Sequence, residues 1–458
     1  MKIVILVLST FLLTGCFTVL KQFTNSGSPA SNQGQRVLSA RTSDRFTIPS
    51  SYNTAYSYRT DSPDPSMNNI LRTIENLRTR NPDEYIAQAA RLINANSRND
   101  FDKFKKAHDL VTITVRYDAA SFFANRIPDQ SYQNVLRTSL AVCEGYANLI
   151  KRLSDELNIP CIVVHGYARG VGSSAAIADT PNVPNHAWNI VTINGASYHV
   201  DSTWNAGFLD GRAFRQRYTT DYLFLKPEHI IYSHFPSNQS HQLLLYPLTA
   251  AQFSSLPMLK PKFFDAADNL SVNLEKVMRV TSRFSFEYTV KDGYYLTFRI
   301  NDARRGREVQ DRTFVQRNGS RHTVHFSLPS SGKYIVNIFY WEEGKDQGSG
   351  CGEFVIEATR SSKVEFPTIF SSSARNPEII SPIYMPLERG KTYTFQIRVT
   401  NKNNAAIIHG SNFVQMTRGR DGLFSADFRI PNNISELSIG VADTERGRYE
   451  FIAKYKVE

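Results

Sequence analysis

Three side chains have the types that acyl transfer needs: Cys143, His186 and Asp201. A thiolate is a nucleophile toward a carbonyl carbon. An imidazole can take the thiol proton and later give a proton to a leaving amine. A carboxylate beside the imidazole fixes its tautomer and stabilises its charged form. The pattern is useful only if the fold brings the three together.

The cysteine is placed by a helix. Tyr146, Ile150, Leu153 and Leu157 recur at spacings of 4, 3 and 4, which predicts a helix over 139–157. Cys143 lies about one turn before that stripe, and Thr138 or Ser139 could cap the start. A thiol there feels the positive end of the helix dipole, which favours thiolate. The unpaired N–H groups of the first turn can receive a developing oxyanion.

The histidine and aspartate are placed by a hairpin. Asn185–Val191 and Tyr198–Asp201 read as strands, and Asn194-Gly195 between them is a strong two-residue turn signal. With that turn and no bulge, Ile193 faces Ala196, Trp188 faces Asp201 and His186 faces Thr203. His186 and Asp201 then share a face as diagonal neighbours, about 7–8 Å apart along the backbone. A one-residue slip would separate them. The alternative is a core cysteine, a strand histidine and a surface aspartate that never meet.

The other candidates are weaker. His108 repeats with Phe101, Phe104 and Val111 on one apolar helix face and reads as a core histidine. Cys161 sits in a short buried-strand pattern and reads as an inert core thiol. Cys351, in Gly-Ser-Gly-Cys-Gly, reads as a loop or bulge residue with no base nearby in sequence.

Three stretches, Val142-Cys143-Glu144-Gly145-Tyr146-Ala147-Asn148-Leu149, Asn185-His186-Ala187-Trp188-Asn189 and Val200-Asp201-Ser202-Thr203-Trp204, resemble the motifs of the transglutaminase-like superfamily, in its order. Tyr117-Asp118 before them, and Tyr222-Leu223-Phe224 with His234-Phe235-Pro236 after them, are similar to the kyphoscoliosis peptidase branch. The resemblance runs from about residue 61 to the end and is strongest over 101–244. It implies a papain-like α+β core, with Cys143 as nucleophile, His186 as base and Asp201 as its partner. Glu144, Trp188 and Trp204 match as substrate-binding or wall positions, with Trp188 reading as core or wall rather than chemistry. No side chain upstream of Cys143 matches an oxyanion donor, so only the Cys143 N–H is assigned there.

The rest of the chain sorts around that core. The sequence has 458 residues and formal net charge +11. Residues 3–13 are an apolar run too short to span a bilayer. They end in Leu13-Thr14-Gly15-Cys16, which resembles the bacterial lipobox and implies cleavage before Cys16 and its lipidation. Residues 16–60, poor in large aliphatics, read as a disordered tether. From about residue 256 alternating stretches such as Tyr294–Ile300 and Tyr334–Trp341 predict sandwiches.

The expected organisation is therefore a leader over 1–15, the tether, a transglutaminase-like domain over 61–250, and two all-β Ig-like sandwich domains over 251–360 and 361–458. No phosphate-binding loop, dinucleotide fingerprint, zinc or EF-hand spacing occurs, so neither metal nor cofactor is expected. The basic balance suits an anionic neighbour. Export makes a membrane or an anionic cell-surface polymer the expected one and nucleic acid not, with the arginines from Arg304 to Arg321 as the best single candidate for such a contact.

Function then reads as a cysteine peptidase or amidase of the bacterial cell envelope. It would be held to the membrane through Cys16 and act on protein or peptide amides. A cross-linking transamidase uses the same triad. A scaffold or adhesin binding through the Ig-like domains is the non-catalytic alternative.

Overall fold

The computed structural model describes residues 50–170, 184–370, 377–400, 402–445 and 447–458. The leader, Cys16 and most of the expected tether lie outside the described residues. The last part of that tether is corrected. Residues 50–56 form a helix, and Arg59 is buried against the body of the protein.

The α-helical front follows its local signals. Asn81 caps the helix Pro82–Ala95 by accepting from the Glu84 N–H, with proline at the first position and Ile86, Ala90 and Ile93 buried. Asn99 caps Asp100–Thr114 in the same way. This second helix is buried almost all round, including Lys105 and Lys106. Their ammonium groups are neutralised one turn on, Lys105 by Asp109 at 2.6 Å and Lys106 by Asp102 at 2.5 Å. Burying such cations requires that pairing.

Against these helices lies a four-stranded antiparallel sheet, in the spatial order 196–200, 186–193, 161–168, 234–236. The helix Cys143–Glu156 packs on its two central strands. Val191, Ile193, Tyr198 and Val200 from the sheet join Tyr146, Leu149, Ile150 and Leu153 from the helix in one apolar core.

The C-terminal half is two sandwiches in series. The first packs a sheet of 267–268, 283–290, 321–327 and 313–318 on one of 277–280, 349–358, 332–342 and 294–302. The second packs 378–381, 392–398, 423–429 and 417–418 on 368–369, 450–456, 436–442, 404–409 and 412–415. Each has its own buried core. Cys351 is the extra residue of a bulge: Ile338 pairs with Gly352 and Phe339 with Gly350, leaving Cys351 unmatched between them. It is fully buried, which pushes its thiol up to about 12.

The arginines from Arg304 to Arg321 do not form one surface cluster. Arg312 donates to the backbone carbonyls of Ser362 and Val364 at 2.8 and 2.9 Å, stitching one sandwich to the next. Arg317 is drawn in over the Tyr295 ring, 5.5 Å from its centre. No described helix is long and apolar enough to cross a membrane.

Candidate active site

The cysteine helix starts later than its apolar stripe implies. Residues Tyr132–Thr138 form a separate short helix, which Ser139 ends in the left-handed conformation (φ 58°). Neither Thr138 nor Ser139 caps the cysteine helix. A short parallel bridge of Leu140–Ala141 with Arg116–Tyr117 intervenes, and Val142 is the N-cap residue, with no side-chain cap. Cys143 is therefore the first helical residue, where backbone N–H groups lack intrahelical partners. Gln130 fixes this entry: its side-chain oxygen accepts the Val142 N–H at 2.9 Å. Gly145 makes room for it, since a Cβ there would lie 2.6 Å from that oxygen and 2.8 Å from Ala141 and Val135.

The hairpin has the register that its turn implies. Ile193 pairs with Ala196 and Asn189 with Val200, and Asn194 and Gly195 both have positive φ, as a primed turn requires. The ladder then stops. Asp201 leaves the strand to cap the helix Ser202–Ala206, its Oδ1 accepting the Trp204 N–H at 3.1 Å. Thr203 is thus helical and does not face His186 across a ladder. Asp201 still reaches it: His186 Nε2 donates to Asp201 Oδ2 at 2.7 Å. Nδ1 is the nitrogen left to face the thiol, and Cys143 is close enough to act electrostatically on the ring.

The electrostatics follow from burial and charge. Burial alone would lower the His186 pKa. The Asp201 charge, then Cys143, outweigh it and raise the imidazole to about 10. Burial likewise opposes charge on Asp201, but His186 and His234 hold it well below the usual carboxylate range. Cys143 is half-buried and not in a disulfide. Cys161 is buried and its thiol is pushed up to about 12.

The expected wall residues separate. The Trp188 ring stacks on His186 at 6.0 Å and donates its N–H to His199 Nδ1 at 3.0 Å. Trp204 lies 5.6 Å from the His186 ring on another side. Glu144 turns outward and pairs with His165 at 2.8 Å, both half exposed. His108 is a satisfied core histidine between Asp109 and Asn205.

Two residues beyond the sequence-derived set belong to the site. Tyr117, register partner of Ala141, has its pKa raised by burial and by the charges of Cys143 and Asp201, so it stays a protonated donor. His234, fully buried, places Nε2 3.0 Å from Asp201 Oδ2. Both residues lie in stretches with family likeness, Tyr117-Asp118 and His234-Phe235-Pro236, but nothing in their spacing links either to Asp201. His186, Asp201 and His234 offer ligand atoms within 4.8 Å of one another. The donor set satisfies itself, because Oδ2 already accepts from both rings, and a cation would have to displace those hydrogens.

Comparison with known proteins bears on the fold of the core. Residues 87–203 match the family model of the transglutaminase-like superfamily. The core is transglutaminase-like. Residues 250–368 match the model of the KY-like, immunoglobulin-like domain, so the transglutaminase-like core is followed by an Ig-like domain and a β-rich C-terminal region. Kyphoscoliosis peptidase of Mus musculus is 29% identical over 311 residues, covering 67% of this chain and 42% of that protein. Hillarin of Drosophila melanogaster is 25% identical over 253 residues, covering 50% of this chain and 31% of that protein. The chain thus spans less than half the length of these curated relatives. A crystal structure of a TGase is 19% identical, covering 36% of this chain and 39% of that one, with a TM-score of 0.21.

Proposed function

We propose that the transglutaminase-like core is a cysteine amide hydrolase, with Cys143 as nucleophile, His186 as acid and base, and Asp201 as the group that orients it. The observation that carries this is the His186 Nε2 to Asp201 Oδ2 contact of 2.7 Å beside a cysteine at a helix start. His186 takes the Cys143 proton, and the thiolate attacks a peptide or side-chain amide carbonyl. The Cys143 N–H, at the start of its helix, stabilises the oxyanion. As the tetrahedral adduct collapses, the C–N bond breaks and His186 protonates the departing amine. Water, deprotonated by His186, then cleaves the thioester and frees the acid and the thiol. An amine in place of water would give a cross-link, and the name of the kyphoscoliosis peptidase relative favours water.

The Leu13–Cys16 motif carries the proposed location: a lipid anchor at the bacterial cell envelope, with protein or peptide substrates there and an anionic surface polymer as neighbour. The test compares envelope proteins from cells bearing the wild type and Cys143→Ala. New N-termini or newly acidic glutamine positions that require Cys143 support hydrolysis. Cross-links that require Cys143 replace it with transamidation. Identical proteomes favour the scaffold reading.

A further inference from the structure

We propose that His234 is a positioning residue of the active site, a neutral second histidine whose Nε2–H locks the Asp201 carboxylate in the orientation that His186 needs. The inference rests on the Cys143–His186–Asp201 reading above and adds a member to it.

His234 opens the short strand His234–Pro236, paired with Ala168 at the edge of the core sheet. A glycine permits this approach. A Cβ on Gly166 would lie 2.3 Å from the Phe235 carbonyl oxygen and 2.8 Å from the Trp188 ring. The His234 ring is then enclosed by Trp204 at 4.5 Å, Trp188 at 5.0 Å and Tyr222 at 5.6 Å. It has no exposed surface.

Both ring nitrogens are used. Nε2 lies 3.0 Å from Asp201 Oδ2, and Nδ1 lies 2.8 Å from Ser233 Oγ. Asp201 is ionised, so Nε2 must carry a hydrogen to donate. Ser233 has one hydroxyl hydrogen, with His234 Nδ1 at 2.8 Å and the Ile230 carbonyl at 3.2 Å as acceptors, while the neighbouring Tyr222 hydroxyl can itself donate to Oγ. If the hydroxyl served Ile230, Nδ1 would also need a hydrogen and the ring would be an imidazolium. A single carboxylate would then face imidazolium charge on both sides in a site closed to water, which is unfavourable. Burial lowers the His234 pKa, in the same direction. The other titratable groups facing the ring are His186, His199 and Tyr222, none of them an anion at neutral pH. The ring is therefore neutral, with Ser233 donating to Nδ1 and Nε2–H donating to Asp201.

The consequence is a carboxylate without rotational freedom. Oδ1 accepts the Trp204 N–H, and Oδ2 accepts from His186 and His234. Removing His234 would leave Oδ2 with His186 alone and free the carboxylate to follow it off axis. Outer-shell partners of this kind typically matter by about 10- to 100-fold.

The test uses the full chain and the alkylation rate of Cys143 by iodoacetamide across pH. His234→Phe keeps the ring volume without the donor, and His234→Gln keeps an N–H within reach of Asp201. Expected are a loss of about 10- to 100-fold at neutral pH for His234→Phe, a shift of its acid limb to higher pH, and recovery of most of the rate with His234→Gln. Ser233→Ala, which leaves the aromatic cage intact, serves if His234→Phe does not fold. It should slow alkylation, and nitrogen NMR of wild type should show His234 as the neutral Nε2–H tautomer at neutral pH and above. Wild-type rates and profiles in the folded His234→Phe, or in Ser233→Ala if that variant must serve, overturn the proposal. A doubly protonated His234 at neutral pH does the same. A wild type that labels no faster than His186→Ala overturns the triad reading beneath it instead.

Discussion

Asp201 is the residue on which the charge balance of the site turns. It caps a helix, accepts from two histidines and, together with Cys143, raises His186 to about 10. A histidine raised above its ordinary 6.5 keeps its proton until pH passes its folded value. The resting imidazolium is thus retained well above neutral pH, and amide turnover should fall only on the alkaline side. Asp201→Asn removes the largest favourable charge and leaves burial to act against the imidazolium. Its descending limb should move down by several pH units, with turnover at pH 8 reduced roughly 10³–10⁴-fold. A pH-rate profile of both proteins checks this. At this scale the hairpin register was legible, and it brings the strand end beside His186; that Asp201 makes its contact from a helix cap rather than from the ladder was not. His234 was not legible. Its contact depends on non-local pairing of 234–236 with 166–168, which leaves no local periodicity.

At the scale of elements, the start of the cysteine helix sets where the nucleophile sits. The stripe from Tyr146 to Leu157 locates the helix, but no local residue signals where it starts, because Val142 caps it without a side-chain hydrogen bond. The chain uses a bridge to Arg116–Tyr117 and the distant Gln130 side chain in place of a local cap. Gly145→Ala should push Gln130 off the Val142 N–H, costing about 1–3 kcal/mol through overpacking and slowing Cys143 alkylation. Thermal melting and labelling of that variant measure both effects. Strands of the C-terminal half were legible because their alternation is local: Tyr334–Trp341 lies within the observed Gly332–Glu342, and Tyr294–Ile300 within Tyr294–Asp302. The all-round burial of Asp100–Thr114 was not, because lysines at buried positions break the pattern that would reveal it.

Across the whole molecule, part of the positive charge works inside the protein. Arg59 donates to the Thr220 and Asp221 carbonyls and, bidentate, to Asp265 at 3.0 and 2.9 Å, tying the N-terminal segment to both the core and the helix that leads into the first sandwich. Arg169 donates to the carbonyls of Leu256 and Pro257, both at 2.9 Å, and Arg312 clasps the junction between sandwiches. Composition counts such arginines with the surface ones, so the +11 balance overstates what faces a partner. Arg59→Ala leaves Asp265 buried without its cation and should cost about 3–5 kcal/mol. A lower melting temperature and faster proteolysis near residue 260 would show it.

The central claim is that Cys143 is an activated nucleophile. Its most direct measurement is the rate of iodoacetamide alkylation at Cys143 near pH 7, by mass spectrometry of the full chain, in wild type, His186→Ala and Asp201→Asn. The account predicts that wild type labels at Cys143 far faster than either variant, while Cys161 and Cys351 stay unlabelled in the folded protein. Equal rates at Cys143 in all of them would contradict it.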